Sequence, residues 1–421
     1  MTANDFLREL GWRGVLHGLG ATDTLPLDAA LKARTIKGYC GFDPTADSLH
    51  VGSLLPLMGL VHLQRSGNHP VALIGGGTGL IGDPSGKRTE RLLADRDVIE
   101  ENAAKIQRQI EPFLANGDYT VTNNIEWLGE LNLIEFLRDT GKHFSVNVML
   151  QRESVSARME SGISFTEFSY MLLQAYDYLE LHDRYGVNLQ IGGSDQWGNI
   201  AAGVDLIRRV TGYTVHGQTF KLITTASGIK FGKTEAGAVW LDPEKTSPYQ
   251  FYQFWINVDD RDASQYLRYF TLLDKDEILA LEASKETSPE KRAAQRKLAF
   301  EVTKLVHGAD SAAVVRDISE LLFEKGDARG LSPAALKVLE REIPFFEMPM
   351  WDDWKVFVTD ALVATGLVPS KGAARRLIDQ GGVYINNAKR VGPDPDDPLE
   401  GQRYLLRKGS RDYALVRVME R

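Results

Sequence analysis

Two short segments of this 421-residue chain carry residue types suited to phosphate. His50-Val-Gly52-Ser53 stands where an apolar extended run passes through the turn Gly41-Phe-Asp43-Pro-Thr45 into a helical pattern. A helix start gathers free N–H groups and positive dipole, a glycine lets a ligand approach the backbone, and an imidazole can donate to a phosphate oxygen. Further on, Gly228-Ile-Lys230-Phe-Gly-Lys233-Thr234-Glu places two lysines three apart in a glycine-containing loop, from which both can swing over an anionic ligand. Taken singly, the first segment is also readable as a capped helix with a surface histidine, and the second as a loop of solvated lysines.

Three further groups of residues have spacings that suit a ligand. Tyr170, Gln174 and Asp177 stand at i, i+4 and i+7 of a helical run over Phe165 to Leu181, so at about 100° per residue they share one narrow face. That stripe faces either a polar ligand or solvent. The loop from Gly75 to Arg91 is glycine-rich and then basic, with Lys87, Arg88 and Arg91 following Asp83, and reads either as an anion contact or as a flexible surface loop with ordinary charges. Near the C-terminus, Lys371, Arg375 and Arg376 are adjacent or one helical turn apart, a cationic face that fits RNA phosphates or is simply a helix of solvated charges.

The elements that must carry these residues follow from the pattern of apolar positions. Extended runs at Ile36–Phe42, Pro70–Gly75, Tyr119–Asn123 and Val187–Ile191 are each followed by a loop and then a helical pattern. This predicts an α/β fold with a parallel sheet, whose ligands bind beyond the carboxyl ends of the strands. From Asp242 to Glu340 the pattern is helical, with no strand expected. Ile343–Met350, with two prolines and two phenylalanines, reads as a linker. The tail then reads as small and mixed: a helix over Lys371–Gln380, a Gly381-Gly382 turn, and strands at Val383–Asn386, Tyr404–Arg407 and Ala414–Val418. The expected domains are 1–241, 242–345 and 346–421.

Composition narrows the partners. With 43% hydrophobic and 25% charged residues, the chain has globular proportions. No apolar run approaches a membrane span, and the N-terminus lacks the layout of a signal peptide, so a soluble, cytoplasmic protein is expected. The single cysteine, Cys40, excludes an intrachain disulfide and a multi-cysteine zinc site. The formal charge of -8 argues against a surface that attracts nucleic acid everywhere, yet residues 351–421 hold 12 Lys plus Arg against 10 Asp plus Glu, so the tail is the basic end.

The His50 and Lys230 segments, in that order, resemble the HIGH-type and KMSKS-type signatures of class I aminoacyl-tRNA synthetases. Gly-Phe-Asp-Pro-Thr-Ala-Asp-Ser-Leu-His50, Thr78-Gly-Leu-Ile-Gly-Asp-Pro-Ser-Gly-Lys87, Ser164-Phe-Thr-Glu-Phe-Ser-Tyr-Met-Leu-Leu-Gln-Ala-Tyr-Asp177 and Leu189-Gln-Ile-Gly-Gly-Ser-Asp-Gln-Trp-Gly-Asn199 narrow the resemblance to bacterial tyrosyl-tRNA synthetases, over essentially the whole chain. The tail from Pro369 to Asn386 resembles an S-four-like RNA-binding domain. One departure stands out: Ser53 occupies the place of the second histidine of the HIGH signature, so any role that needs an imidazole there is in doubt.

The resemblance implies a Rossmann-like parallel-sheet catalytic domain, an α-helical domain and a small α+β RNA-binding domain. It implies L-tyrosine, ATP with Mg2+ and tRNA(Tyr) as partners, no tightly bound cofactor, no protein metal site, no membrane, and a homodimer. Tyrosine contacts are implied at Tyr39, Thr78, Asp83, Asn124, Tyr170, Gln174, Asp177 and Gln196, with Tyr170 and Gln174 on the ammonium and Asp177 on the phenol. ATP contacts are implied at Gly41, Asp43, Thr45, His50, Gly52, Ser53, Gly193, Asp195 and Lys233. Catalysis falls to His50, Lys230, Lys233, Thr234, Lys87 and Arg91, and RNA binding to Lys371, Arg375 and Arg376. Cys40 is either a ribose contact or a packed thiol. The rival readings are a tryptophanyl-tRNA synthetase-like enzyme, a non-catalytic RNA-binding scaffold derived from a synthetase, and a small-molecule adenylyltransferase.

Overall fold

The computed structural model describes residues 5–18, 36–85, 95–156, 159, 162–226, 228, 231–234, 237–324, 331–349, 357–389, 403–409 and 412–419. The chain forms two compact units, one of residues 1–246 and 258–298, the other of residues 247–257 and 299–421. The helical stretch after Asp242 is thus shared between the two.

The first unit is organised by a six-stranded sheet: β1 (Leu16–His17), β2 (Lys37–Phe42), β3 (His69–Ile74), β4 (Thr120–Asn123), β5 (Leu189–Gly193) and β6 (His216–Phe220). Their order is β1-β6-β5-β2-β3-β4, parallel throughout except for β1, which runs antiparallel to β6. Four of these strands coincide with the expected extended runs to within two residues at each end. β6 escaped the sequence pattern because His216-Gly-Gln-Thr-Phe220 is mostly polar, although all five residues are buried. The chain lays β3 and β4 to one side of β2 and then returns to place β5 and β6 on the other. Winding reverses between β2 and β5, where α/β sheets open a crevice at the carboxyl ends of their strands.

Two helices set the walls of that crevice. Leu54–Arg65 has nine of its twelve residues buried, so it lies inside the unit against the sheet and cannot shift without opening the core. Phe165–Tyr185 is capped at its start by Ser164, whose hydroxyl accepts from the Glu167 N–H, and stopped by Gly186 in the left-handed region at φ 70°.

After a two-stranded hairpin of β7 (Lys233–Thr234) and β8 (Gly237–Ala238) in the first unit, the second unit carries a small sheet: β9 (Phe345–Pro349), β10 (Val383–Ile385), β11 (Ala388–Lys389), β12 (Arg403–Lys408) and β13 (Asp412–Met419), in the order β11-β10-β12-β13-β9. The tail helix spans Lys371–Asp379, as expected, and a second helix at Val358–Ala364 packs beside it. The expected linker is instead an edge strand: Phe345 to Pro349 pairs in parallel with Leu415 to Met419. Proline breaks helical periodicity but is tolerated at a strand end on a sheet edge, so the same residues that exclude a helix permit this strand. On one face of the sheet, Leu405 and Leu415 pack with Ile318, Leu321, Leu322, Ala335 and Leu339 of the preceding helices. Arg417 is ion-paired with Glu340 and Glu347.

A chain ended at Glu340 therefore does not separate cleanly; it uncovers Leu321, Leu322 and Leu339. It should self-associate and bind a hydrophobic dye such as ANS, with a lower melting temperature for these helices. A monodisperse product whose helical melting matches the full chain would contradict the packing described.

Candidate active site

A cavity of about 380 Å³ opens at the reversal point between β2 and β5. Its wall gathers residues from four places in the sequence: Tyr39, Gly41, Asp43 and Thr45 at the end of β2; His50 and Ser53 at the helix start; Thr78 and Asp83 after β3; and Gly193 and Gln196 after β5. The Phe165–Tyr185 helix contributes Tyr170, Gln174 and Asp177. The i, i+4, i+7 stripe therefore faces the cavity: Tyr170 and Asp177 are buried and Gln174 is partly so.

Polar groups on and behind this wall form two hydrogen-bonded sets. Asp177 accepts from the Trp127 indole N–H at 2.7 Å and from Asn124 Nδ2 at 2.9 Å. Asn124 also donates to Thr78 Oγ1, and its own Oδ1 accepts from the Gly77 N–H. Thr78 donates to Asp43 at 2.7 Å, and the Tyr170 hydroxyl donates to the other Asp43 oxygen at 2.8 Å. Gly75 is required by this arrangement, since a Cβ there would stand 2.0 Å from Asp43 Oδ1. A second set joins Gln196 to Asp83 at 2.6 Å and Asn199 to both Gln174 and Gln196.

Burial raises the pKa of Asp177 to about 7, against the hydrogen bonds from Asn124 and Trp127 that favour its charge. Burial and the nearby Asp177 push the Tyr39 hydroxyl well above its ordinary value, and burial with Asp43 does the same for Tyr170. Both phenols stay neutral. The Tyr39 hydroxyl is buried and has no hydrogen-bond partner, an expensive state that a ligand group beside Asp177 would relieve. Burial also pushes the Cys40 thiol up to about 12, so it lines the cavity as a neutral group.

The phosphate-type end is built by the His50 segment. Val51–Ser53 forms a 3₁₀ turn ahead of the Leu54–Arg65 helix, and His50 Nδ1 accepts from the Gly52 N–H at 3.0 Å. A neutral ring then carries its proton on Nε2, in donor form. Gly52 is needed for this fold-back, because a Cβ there would lie 2.6 Å from the imidazole. The hydroxyl of Ser53 makes no capping bond in its own helix, and Ser53 lines the cavity.

Several expected site residues stand apart from the wall. Asn124 is fully buried behind Asp177, Gly52 lies behind His50, and Asp195 is exposed beside the lining residues Gly193 and Gln196. Lys87, Arg88, Arg91 and Lys230 lie outside the described residues. Lys233-Thr234 forms a two-residue strand paired with Gly237-Ala238, described for its backbone only. Among the described lining residues none is Lys or Arg, while three are aspartates. Sequence reasoning missed Trp127, Gln190, Asn199 and Trp240. A glutamine inside the apolar run Leu189-Gln-Ile191 was the one legible signal among them; Gln190 is buried on the cavity wall with an unpaired Oε1.

A parallel sheet with a nucleotide-type crevice, a HIGH-type turn and a lysine hairpin defines a class I aminoacyl-tRNA synthetase, and residues 31–324 match the family of class I tRNA synthetases (W and Y). Residues 336–416 match the tyrosine–tRNA ligase SYY-like C-terminal domain. The chain is 50% identical to the tyrosine–tRNA ligase of Bacillus caldotenax and 48% to tyrosine–tRNA ligase 1 of Bacillus subtilis (strain 168), each over 98% of this chain and 99% of the relative. Among solved structures it resembles the C-terminally truncated mitochondrial tyrosyl-tRNA synthetase of Aspergillus nidulans, at TM-score 0.69 and 32% identity, over 76% of this chain and 94% of the other. A tryptophanyl-tRNA synthetase from Encephalitozoon cuniculi shares the fold at TM-score 0.53 and 15% identity, over 80% of this chain and 93% of the other. The chain belongs to the tyrosyl-tRNA synthetase family.

The raised pKa of Asp177 has a measurable consequence. Between about pH 4 and 7 the unfolded chain has lost this proton and the folded chain keeps it, so this group makes stability fall as pH rises through that window, with the full penalty present above it. Wild type measured against Asp177→Asn should lose on the order of 2 kcal/mol of relative unfolding free energy between pH 5 and pH 8. Denaturant unfolding at the two pH values checks this; a pH-independent difference would show that Asp177 is ionised throughout.

Proposed function

We propose that this protein activates L-tyrosine with ATP to give tyrosyl-adenylate and pyrophosphate, then transfers the tyrosyl group to the 3'-terminal adenosine of tRNA(Tyr). The observation that carries the substrate assignment is the buried pair of Asp177 and the partnerless Tyr39 hydroxyl at one end of the cavity. A substrate phenol donates to the one and meets the other. Tyr170, Gln174, Asp83 and Gln196 take the substrate ammonium and carboxylate region, with Thr78 and Asn124 supporting Asp177 from behind. Such a pocket has little use for an indole, which disfavours the tryptophanyl alternative.

The tyrosine carboxylate is the nucleophile on the α-phosphorus, so no Ser, Cys or His triad is required. Rate comes from positioning and from charge stabilisation on the phosphates. His50 donates from Nε2. Gly41, Asp43, Thr45, Gly52, Ser53, Gly193 and Asp195 serve the nucleotide, and magnesium arrives on ATP. An anionic nucleotide entering a wall with three aspartates needs cations from elsewhere, which supports Lys87, Arg91, Lys230 and Lys233, with Thr234, as groups that close over the phosphates. The functional division follows 1–241 for adenylation, 242–345 as a helical domain and 346–421 for RNA. In the last, Arg375 and Arg376 are exposed, while Lys371 is ion-paired with Asp360 at 2.6 Å and must exchange that partner for a phosphate.

The test of substrate identity is amino-acid-dependent exchange of labelled pyrophosphate into ATP. Tyrosine should support it and tryptophan should not. Asp177→Ala should lower kcat/KM for tyrosine far more than for phenylalanine, because an unpaired buried polar group costs roughly 1–3 kcal/mol and phenylalanine never made the bond. An unchanged ratio would mean that Asp177 does not read the phenol.

We further propose a cytoplasmic homodimer; among the described residues no helix is long and apolar enough to cross a membrane. Half of the exposed large hydrophobic side chains among the described residues fall between Leu133 and Phe165, all but Met159 on the Leu133–Asp139 and Val146–Leu150 helices and the start of the Phe165–Tyr185 helix. Phe144, Met149, Ile163 and Phe168 of the same stretch pack into one core, and Phe165 is 78% exposed. Apolar surface so concentrated favours association with a second copy. Phe165→Asp should shift the protein toward monomer in sedimentation at micromolar concentration; an unaltered sedimentation coefficient would place the interface elsewhere.

A further inference from the structure

Trp240, a residue that no motif singled out, forms part of the cavity wall next to His50. Its segment and the His50 segment are tied by backbone bonds, Val51 N–H to Val239 O and Leu241 N–H to Leu49 O, both at 2.9 Å. The same backbone continues into the lysine hairpin, where the Val239 N–H donates to Gly232 O. The indole meets the imidazole edge-on, with ring centroids 6.2 Å apart at 61°. On the other side the Lys245 ammonium stands 5.5 Å from the centre of the Trp240 ring and 2.7 Å from Asp47 Oδ1. Asp47 belongs to the loop whose neighbours Thr45, Ala46 and Ser48 line the cavity, and Lys105 approaches its second oxygen at 3.7 Å.

This arrangement closes a ring of contacts: His50, Trp240, Lys245, Asp47 and back along the chain to His50. An exposed ion pair of this kind contributes only about 0–1 kcal/mol to folding, so stability alone gives little reason for it. Its geometric effect is larger. A cation over an indole restricts the ring's rotamers, and the pair to Asp47 anchors that cation to the nucleotide loop.

We propose that Lys245, held by Asp47, is a positioning residue for adenylation: it fixes the Trp240 ring, and through it the orientation of His50 toward the phosphates of the nucleotide. The inference rests on the ATP-dependent function of this cavity. It assigns Lys245 no phosphate contact of its own.

The test is tyrosine-dependent pyrophosphate exchange on full-length Lys245→Met, Lys245→Arg, Trp240→Leu and the Lys245→Met/Trp240→Leu double variant, with melting temperatures for each. Lys245→Met should lose about fivefold in kcat/KM for ATP, with KM for tyrosine and the melting temperature essentially unchanged. Lys245→Arg should recover most of the loss, because a guanidinium also stands over an indole and pairs with a carboxylate. In the Trp240→Leu background, Lys245→Met should have no further effect. The proposal is overturned if Lys245→Met leaves the ATP parameters unchanged, if tyrosine KM or melting temperature falls in parallel, or if the two substitutions multiply, which would make Lys245 a direct phosphate ligand. Absence of tyrosine-dependent exchange in the wild type would instead sink the underlying function, so the two failures are separable.

Discussion

One buried carboxylate organises the end of the cavity proposed to take tyrosine. Asp177 has almost no contact with solvent, and burial alone would make it a neutral acid. Two donors, the Trp127 indole and the Asn124 amide, oppose that tendency and hold both oxygens in place. Asn124 is in turn fixed by the Gly77 N–H and bonded to Thr78, and Thr78 leads to Asp43 and Tyr170. The ends of β2, β3 and β4 and one wall helix are thereby locked into a single hydrogen-bonded frame. Such a frame permits a charge to be kept ready in a low-dielectric pocket, at the cost of a pKa near neutrality.

The end proposed to take the nucleotide is built on the opposite plan. Its described wall offers an imidazole held in donor form by Gly52 and the Ser53 hydroxyl, but neither lysine nor arginine. Permanent cations within a wall already lined by three aspartates would pair with those carboxylates in the absence of substrate. The cations proposed for the phosphates belong to other segments of the sequence, Lys87 and Arg91 after Asp83 and Lys230 and Lys233 after Gly228. The backbone ladder from Leu49 to Leu241 links the hairpin to the His50 segment, so motion of one is felt by the other.

In the second unit, similar economy joins the tail to its helices. The sheet that supports the Lys371–Asp379 helix also covers Leu321, Leu322 and Leu339 on its other face. The helix proposed to meet RNA and the core-forming contacts therefore fall on opposite sides of one five-stranded sheet, and the strand from Phe345 to Pro349 belongs to both the connection and the fold.

What could be read from the residues alone was whatever depends on local spacing. The period of apolar positions located four parallel strands, the 3.6-residue period put Tyr170, Gln174 and Asp177 on one face, and His50-x-Gly52 marked a turn at a helix start. Trp127, Asn199 and Trp240 were invisible because their partners lie 50 residues away, 25 residues away, and nearly 200 residues away respectively. The polar strand β6 and the edge strand at Phe345 were invisible for the same cause: each is a strand only because a neighbour supplies its hydrogen bonds, β5 for the first and β13 for the second. Local sequence specifies what a segment can be. Which donor reaches Asp177, which ring stands beside His50, and whether a polar stripe faces water or a cavity are decided when the sheet winds both ways from β2 and brings distant loops to one edge, because burial and pairing energies exist only in that assembled state.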